Sequence, residues 1–131
     1  MFLARGFIWK GRRYPMTAVL PVEVEVCGKP QGHGYAHMVV DTPNPFFPAG
    51  TELYGHEFHY SRILPDGDLP PTACTLKRGT GSYRGRDGII SNNVWASYVH
   101  LHAAATPQWA SGLLAAARRH NCHRQGSSRV A

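Results

Sequence analysis

The sequence predicts an α/β chain dominated by strands, with helix confined to its two ends. Three observations carry this reading. Val22, Val24 and Val26 alternate with Glu23 and Glu25, which is the period of a half-buried strand. Apolar stretches recur between segments rich in Pro and Gly, which interrupt both helices and central strands. After Pro107, Trp109, Leu113, Leu114 and Ala117 repeat at helical spacing, with Arg118 and Arg119 in the last turn. A doubly wound domain needs helices on both faces of its sheet, and this order does not supply them. Part of an α/β domain is therefore absent, or the fold is α+β.

In chain order, residues 1–9 fit two helical turns, although neither an N-cap nor an acidic first turn precedes them. The valine strand begins near Val19, residues 29–32 read as a turn, and residues 35–40 as a second strand. Residues 42–50 hold three prolines and must form a loop. Residues 52–63, rich in aromatics, read as a third strand, followed by an exposed turn at Pro65-Asp66-Gly67-Asp68 and Pro70-Pro71. Residues 73–77 make a short strand and residues 78–88, with four glycines, a loop. Residues 88–90 and 94–101 make one interrupted strand or two short ones. The helix covers residues 108–119, and the tail from Asn121 is expected to fray.

At 131 residues the chain has the length of one domain. Its 43% hydrophobic and 17% charged content excludes a disordered tail and a collagen-like fibre. No apolar run approaches the roughly 20 residues of a membrane span, so a soluble protein with no membrane partner is expected. The net charge of +6 raises an anionic partner first. However, Arg5, Lys10, Arg12 and Arg13 crowd the start and Arg118, Arg119, Arg124 and Arg129 the end, the pattern of solvated termini. Nucleic acid is not the expected partner, because Phe58 and Tyr60 are accompanied only by Arg62. Cys27, Cys74 and Cys122 form no CxxC pair and follow no secretory segment, which fits a reducing cytoplasm.

Eight histidines are present, four of them in the pairs His56-Glu57-Phe58-His59 and His100-Leu101-His102. On a strand, His100 and His102 point the same way and with Glu57 offer ligands for zinc or iron. The spacing is weak evidence, since the first string is one residue short of the helical H-E-x-x-H arrangement. A histidine at a sheet edge, bonded to backbone, accounts for each pair as well, and no metal is assigned.

The string Gly55-His56-Glu57-Phe58-His59-Tyr60-Ser61, followed about forty residues later by Asn93-Val94-Trp95-Ala96-Ser97-Tyr98-Val99-His100-Leu101-His102, resembles the glutaminase domain of the cobyrinic acid a,c-diamide synthase family. Gly11-Arg12-Arg13-Tyr14-Pro15-Met16, Gln31-Gly32-His33-Gly34-Tyr35 and Pro48-Ala49-Gly50 fall in the family's order, and the resemblance extends to about residue 117. It implies a class I, flavodoxin-like glutamine amidotransferase domain, incomplete here. A partial domain over residues 1–119 would lack its N-terminal half, and a tail would follow over 120–131. In such domains a cysteine on a sharp turn attacks the glutamine amide and a distant histidine is its base. His100 matches that histidine.

The resemblance also locates what is missing. The family's nucleophile lies in Cys-Gly-Gly-x-Met-Tyr-Leu, of which Met1-Phe2-Leu3 match only the end, so the cysteine is expected before Met1 and the chain alone should be inactive. Cys27, Cys74 and Cys122 lack the following glycines and read as packing or incidental residues. No G-x-x-x-x-G-K-[ST] loop occurs, and Arg78-Gly79-Thr80-Gly81-Ser82 reads as a plain loop. ATP and Mg are thus expected in the missing N-terminal part, with no cofactor in this stretch. Ordinary triad enzymes place an orienting glutamate two residues after the histidine. Here that position is His102, and Glu57 and His59 are the other candidates for orienting or supporting His100.

The implied function is the glutaminase portion of an ATP- and glutamine-dependent ligase that amidates tetrapyrrole side-chain carboxylates in cobalamin biosynthesis. The implied partners are glutamine and, through the missing synthetase part, a tetrapyrrole. Exposed sheet edges would favour homo-oligomers. A siroheme amidase of the same family is the alternative substrate reading, and a stand-alone metal- or nucleic-acid-binding module the alternative from another class.

Overall fold

The computed structural model describes residues 1–64 and 67–127. Ten strands form two sheets and are followed by one helix. The four-stranded sheet has the order β2 (Arg12–Pro15), β1 (Ala4–Trp9), β3 (Leu20–Val26), β6 (Ser61–Leu64). The six-stranded sheet has the order β10 (His100–Leu101), β5 (Glu52–His59), β4 (Gly32–Val40), β7 (Thr72–Arg78), β8 (Arg86–Ser91), β9 (Val94–Ala96). Apart from the parallel pair β1 and β3, the paired strands run antiparallel.

The first segment is a strand, not the expected helix. Lys10 and Gly11 both have positive φ (49° and 74°), which turns β1 into a hairpin with β2, and Phe7 stacks on Tyr14 at 5.0 Å. Ala4 and Gly6 are buried where β1 runs alongside β3. A parallel partner and a hairpin partner satisfy the backbone that a capless helix would have left open.

The expected single strand over 52–63 is two, β5 and β6, in different sheets. The chain bends at Tyr60, whose carbonyl accepts the Cys27 N–H at 2.6 Å. Leu53, Glu57, His59, Ser61 and Ile63 are all buried, so the period of two runs unbroken through the bend and hides it from pattern reading. The region 88–101 contains β8, β9 and β10, the first of which starts at Arg86 within the expected glycine loop. Two clusters pack these sheets. Met38, Val40, Leu53, Cys74 and Val99 fill the six-stranded sheet, and Val22, Val24, Ile63 and Ile89 join the two.

Strands β9 and β10 lie at opposite edges of the six-stranded sheet, yet only residues 97–99 separate them. Four Cα steps reach about 14 Å, whereas six flat strands would hold their edges about 24 Å apart. The sheet therefore curls until its edges nearly meet, and the joining bend delivers His100.

The helix α1 (Gln108–Ser127) follows Pro107 and continues past Asn121, since no Pro or Gly interrupts residues 113–125. Its expected apolar stripe is only half covered. Trp109, Leu113 and Leu114 are 41%, 49% and 51% exposed. Gly112 lies against the Phe46 carbonyl, where a Cβ would collide. Residues 65, 66 and 128–131, including part of the expected turn after β6, fall outside the described residues.

Candidate active site

His100 is exposed on a strand two residues long. Its antiparallel partner is His56 of β5, and the two rings lie 5.3 Å apart between centroids, tilted by 48°. Neither ring accepts or donates a hydrogen bond among the described residues. Gly55 opposes Leu101, and a Cβ there would strike the His100 carbonyl and reach within 2.8 Å of the Val99 side chain. A glycine is thus required for β10 to close against β5.

The bend before His100 is held from below. The Asp87 carboxylate, fully buried on β8, accepts hydrogen bonds from Ser97 Oγ at 2.8 Å, the Tyr98 N–H at 3.1 Å and the Val99 N–H at 2.9 Å. The preceding residue on β8 faces outward, where Arg86 grips Asp41 with two hydrogen bonds of 2.6 and 3.0 Å.

Glu57 and His59 occupy the other face of β5 from His56, because successive side chains alternate. Glu57 is 2% exposed and accepts the Thr80 and Gly81 N–H groups. His59 Nε2 lies 3.5 Å from the Glu57 carboxylate, and Nδ1, which must carry a proton because its partner is the Ser61 carbonyl, donates at 2.8 Å. The His59 ring stacks on Tyr98 at 3.9 Å, and the Tyr98 hydroxyl pairs with Ser61 Oγ at 2.9 Å. Burial raises the pKa of that phenol above its ordinary value of 10.0. Neither Glu57 nor His59 reaches His100, so the structure does not give them the direct orienting contact expected of them. They anchor the 79–81 loop and Tyr98.

The His102 ring is likewise engaged elsewhere than at His100. Its Nδ1 accepts the Ala104 N–H at 3.2 Å, and its carbonyl accepts the Ala105 and Thr106 N–H groups, building the turn that leads into α1. The backbone-bonded account therefore fits His59 and His102, but not His56 and His100.

The glycine loop resembles a phosphate cradle in form, with Gly79 and Gly81 at positive φ (112° and 71°). Its inward N–H groups at Thr80 and Gly81 are engaged by Glu57, and a Cβ on Gly79 would lie 2.9 Å from that carboxylate. An internal anion fills the cradle, so the loop does not fit ATP. Among the described residues no group of three or more His, Cys, Asp or Glu could hold a metal ion.

None of the three thiols approaches the histidine pair. Cys74 is fully buried, and burial followed by the Asp87 and Asp41 charges pushes its thiol up to about 12, where no thiolate exists at neutral pH. Cys27 closes β3 and Cys122 is exposed on α1. Met1, Phe2 and Leu3 line a cavity of about 260 Å³ together with Asp87, Ser97 and Tyr98, which places the first residues against the bend. A second cleft of about 560 Å³ opens beside His56, lined by His33, Gly34, Tyr35, His56, Glu57 and Phe58.

Residues 1–108, which include both sheets and the histidine pair, match the CobB/CobQ-like glutamine amidotransferase domain. The chain belongs to this amidotransferase family. Among its relatives, the cobyrinate a,c-diamide synthase of Magnetococcus marinus is 37% identical over 110 residues, covering 84% of this chain and 24% of that protein. The enzyme of the same name from Methanothermobacter thermautotrophicus is 40% identical over 96 residues, covering 73% and 21%. That from Methanosarcina barkeri is 50% identical over 64 residues, covering 49% and 13%. The match thus spans at most about a quarter of the length of these relatives, and α1 begins only at the end of the amidotransferase match.

Two residues around His100 escaped sequence reading. His56 was visible only as one of a pair, since a cross-strand partner is a matter of register. Asp87 had one faint signal, a carboxylate leading directly into the apolar run Gly88-Ile89-Ile90.

Proposed function

We propose that this chain is the base-bearing part of the glutaminase portion of an ATP- and glutamine-dependent amide ligase. The ligase amidates side-chain carboxylates of a tetrapyrrole in cobalamin biosynthesis, as the names of its relatives indicate. On this reading the domain is of the class I, flavodoxin-like type and the enzyme is cytoplasmic. No described helix is long and apolar enough to cross a membrane.

The observation that carries the proposal is His100 itself, an imidazole with both nitrogens free of hydrogen bonds on an exposed edge strand, in the string that marks the family. His100 takes the proton of a cysteine thiol, the thiolate attacks the amide carbon of glutamine, and the C–N bond breaks. The imidazolium returns the proton to the departing ammonia. Water then hydrolyses the thioester to glutamate. The thiol belongs to an elbow whose last residues Met1, Phe2 and Leu3 would be, and their place beside Ser97 and Tyr98 supports its convergence on His100. ATP and Mg belong to the part of the relatives that this chain does not span.

The deciding experiment measures ammonia and glutamate release, first with the chain alone and then in a synthase-length enzyme carrying it. No release from the chain and release from the longer enzyme is the expected pair of results. Release from the chain that vanishes in His100→Ala would overturn the external thiol and move the nucleophile to Cys27 or Cys122. Mass spectrometry of cobyrinic acid and siroheme after incubation with the longer enzyme identifies which is amidated.

A further inference from the structure

Strand β10 has two residues and two ladder partners, too little pairing to fix its own register. The bend that feeds it has N–H groups at Tyr98 and Val99 that no regular structure satisfies. Asp87 answers both needs. It is 0% exposed, and every hydrogen bond its carboxylate accepts from the described residues comes from residues 97–99. A buried carboxylate is costly unless its oxygens are compensated, and here one bend supplies all the compensation. Ser97 Oγ also accepts the Val99 N–H at 3.1 Å, which ties the bend into a closed ring of bonds on the carboxylate.

We propose that Asp87 is the positioning residue of His100. In place of a carboxylate on the imidazole, a carboxylate on the backbone three residues earlier sets where the strand emerges and so where the ring points. The proposal rests on the reading of His100 as the amidotransferase base. Without Asp87 the edges of the curled sheet lose their clasp at 97–99. Val99 keeps its place in the core, but β10 leaves β5 and the His100 ring leaves His56.

The test is NMR of the 131-residue chain as wild type, Asp87→Asn, Asp87→Ala and Ser97→Ala. In Asp87→Ala the ring-to-ring NOE between His56 and His100 should be lost, and the Tyr98 and Val99 amides should exchange roughly tenfold to a hundredfold faster, the range expected for hydrogen bonds to a charged acceptor. Amides of β4 should keep their protection. Asp87→Asn, which retains one acceptor, should restore part of the NOE. An unchanged NOE and unchanged exchange at 98 and 99 would overturn the proposal. So would a uniform loss of protection across β4 and the bend, the mark of a merely stabilising group. If neither Asp87 variant folds, Ser97→Ala decides: shifted His100 ring resonances at an unchanged melting temperature support the proposal, and unshifted ones overturn it. Glutamine hydrolysis by the synthase-length Asp87→Asn enzyme separates this from the underlying reading. A fall in kcat with KM held supports both, whereas a lost NOE with kcat unchanged keeps Asp87 as the positioner and removes His100 as the base.

Discussion

Two faces of one strand carry the same kinds of residue and put them to opposite uses. On the inner face of β5, Glu57 and His59 are buried and bound to the 79–81 loop, Ser61 and Tyr98. On the outer face, His56 is exposed and its ring lies beside that of His100. One residue's step along the strand decides between them. Hydrogen bonds that saturate a buried group also remove it from chemistry, since its protons and lone pairs are committed. A catalytic base must keep a free nitrogen within reach of substrate: His59 Nε2 has no hydrogen-bond partner but is buried 3.5 Å from Glu57, whereas the outer pair is exposed.

The sharpest way to break this comparison is to remove the proposed base. In a synthase-length enzyme, His100→Ala should lower glutamine-dependent amidation by about a hundred- to ten-thousand-fold, the usual worth of a general acid-base group. Amidation from free ammonia should survive, because ammonia enters after the step His100 serves. Retained glutamine activity, with folding verified by circular dichroism, would show that the exposed face is not the chemical one.

The inner face should answer in stability instead. Glu57→Ala strips the charged acceptor from two backbone N–H groups, so urea unfolding should show a loss of about 3 kcal/mol, given roughly 1.5–3 kcal/mol for each bond to a charged group. Glu57→Gln should lose less. A drop below about 1 kcal/mol would mean that the 79–81 loop is held by something other than this carboxylate.

His102→Ala tests the expected orienting role directly. With its ring bonded to the Ala104 N–H, the variant should lower glutamine-dependent rate far less than His100→Ala does, through a looser turn alone. An equal loss in a folded protein would return the orienting role to His102.

The smallest effect belongs to the acid limb of stability. Hydrogen bonds from Arg86, seconded by Thr75 and Thr42, hold the Asp41 carboxyl well below its ordinary value of 3.8. A carboxyl depressed in the folded state adds stability above its unfolded value and loses it progressively as pH falls from there through the lower folded value. The pair is partly exposed, so the contribution stays below about 1 kcal/mol. Urea midpoints from pH 6 down to pH 2 should fall in the wild type, and the slope should flatten in Asp41→Asn. Parallel slopes would place the acid sensitivity in another carboxylate.

Much of this was legible before any coordinates. Period-two alternation gave the buried valines of β3, although Glu23 on its other face is buried too, aromatic richness gave a strand at 52–63, the three prolines gave the loop before β5, and Pro107 gave the start of α1. The strings around His56 and His100 carried the family. The first strand was misread because a nine-residue apolar run fits either period when its partners are unseen.

The sequence by itself determined the valine face of β3 and that His100 is the residue to watch, because alternation and motif are local. Tertiary structure alone decided that residues 52–63 divide between two sheets, that the edges of the six-stranded sheet meet at 97–99, that His56 pairs with His100, and that Asp87 binds the bend before it. Those outcomes depend on register between strands far apart in the chain, and on a buried carboxylate finding its donors in a bend ten residues and more away. No window of sequence contains both ends of such a bond.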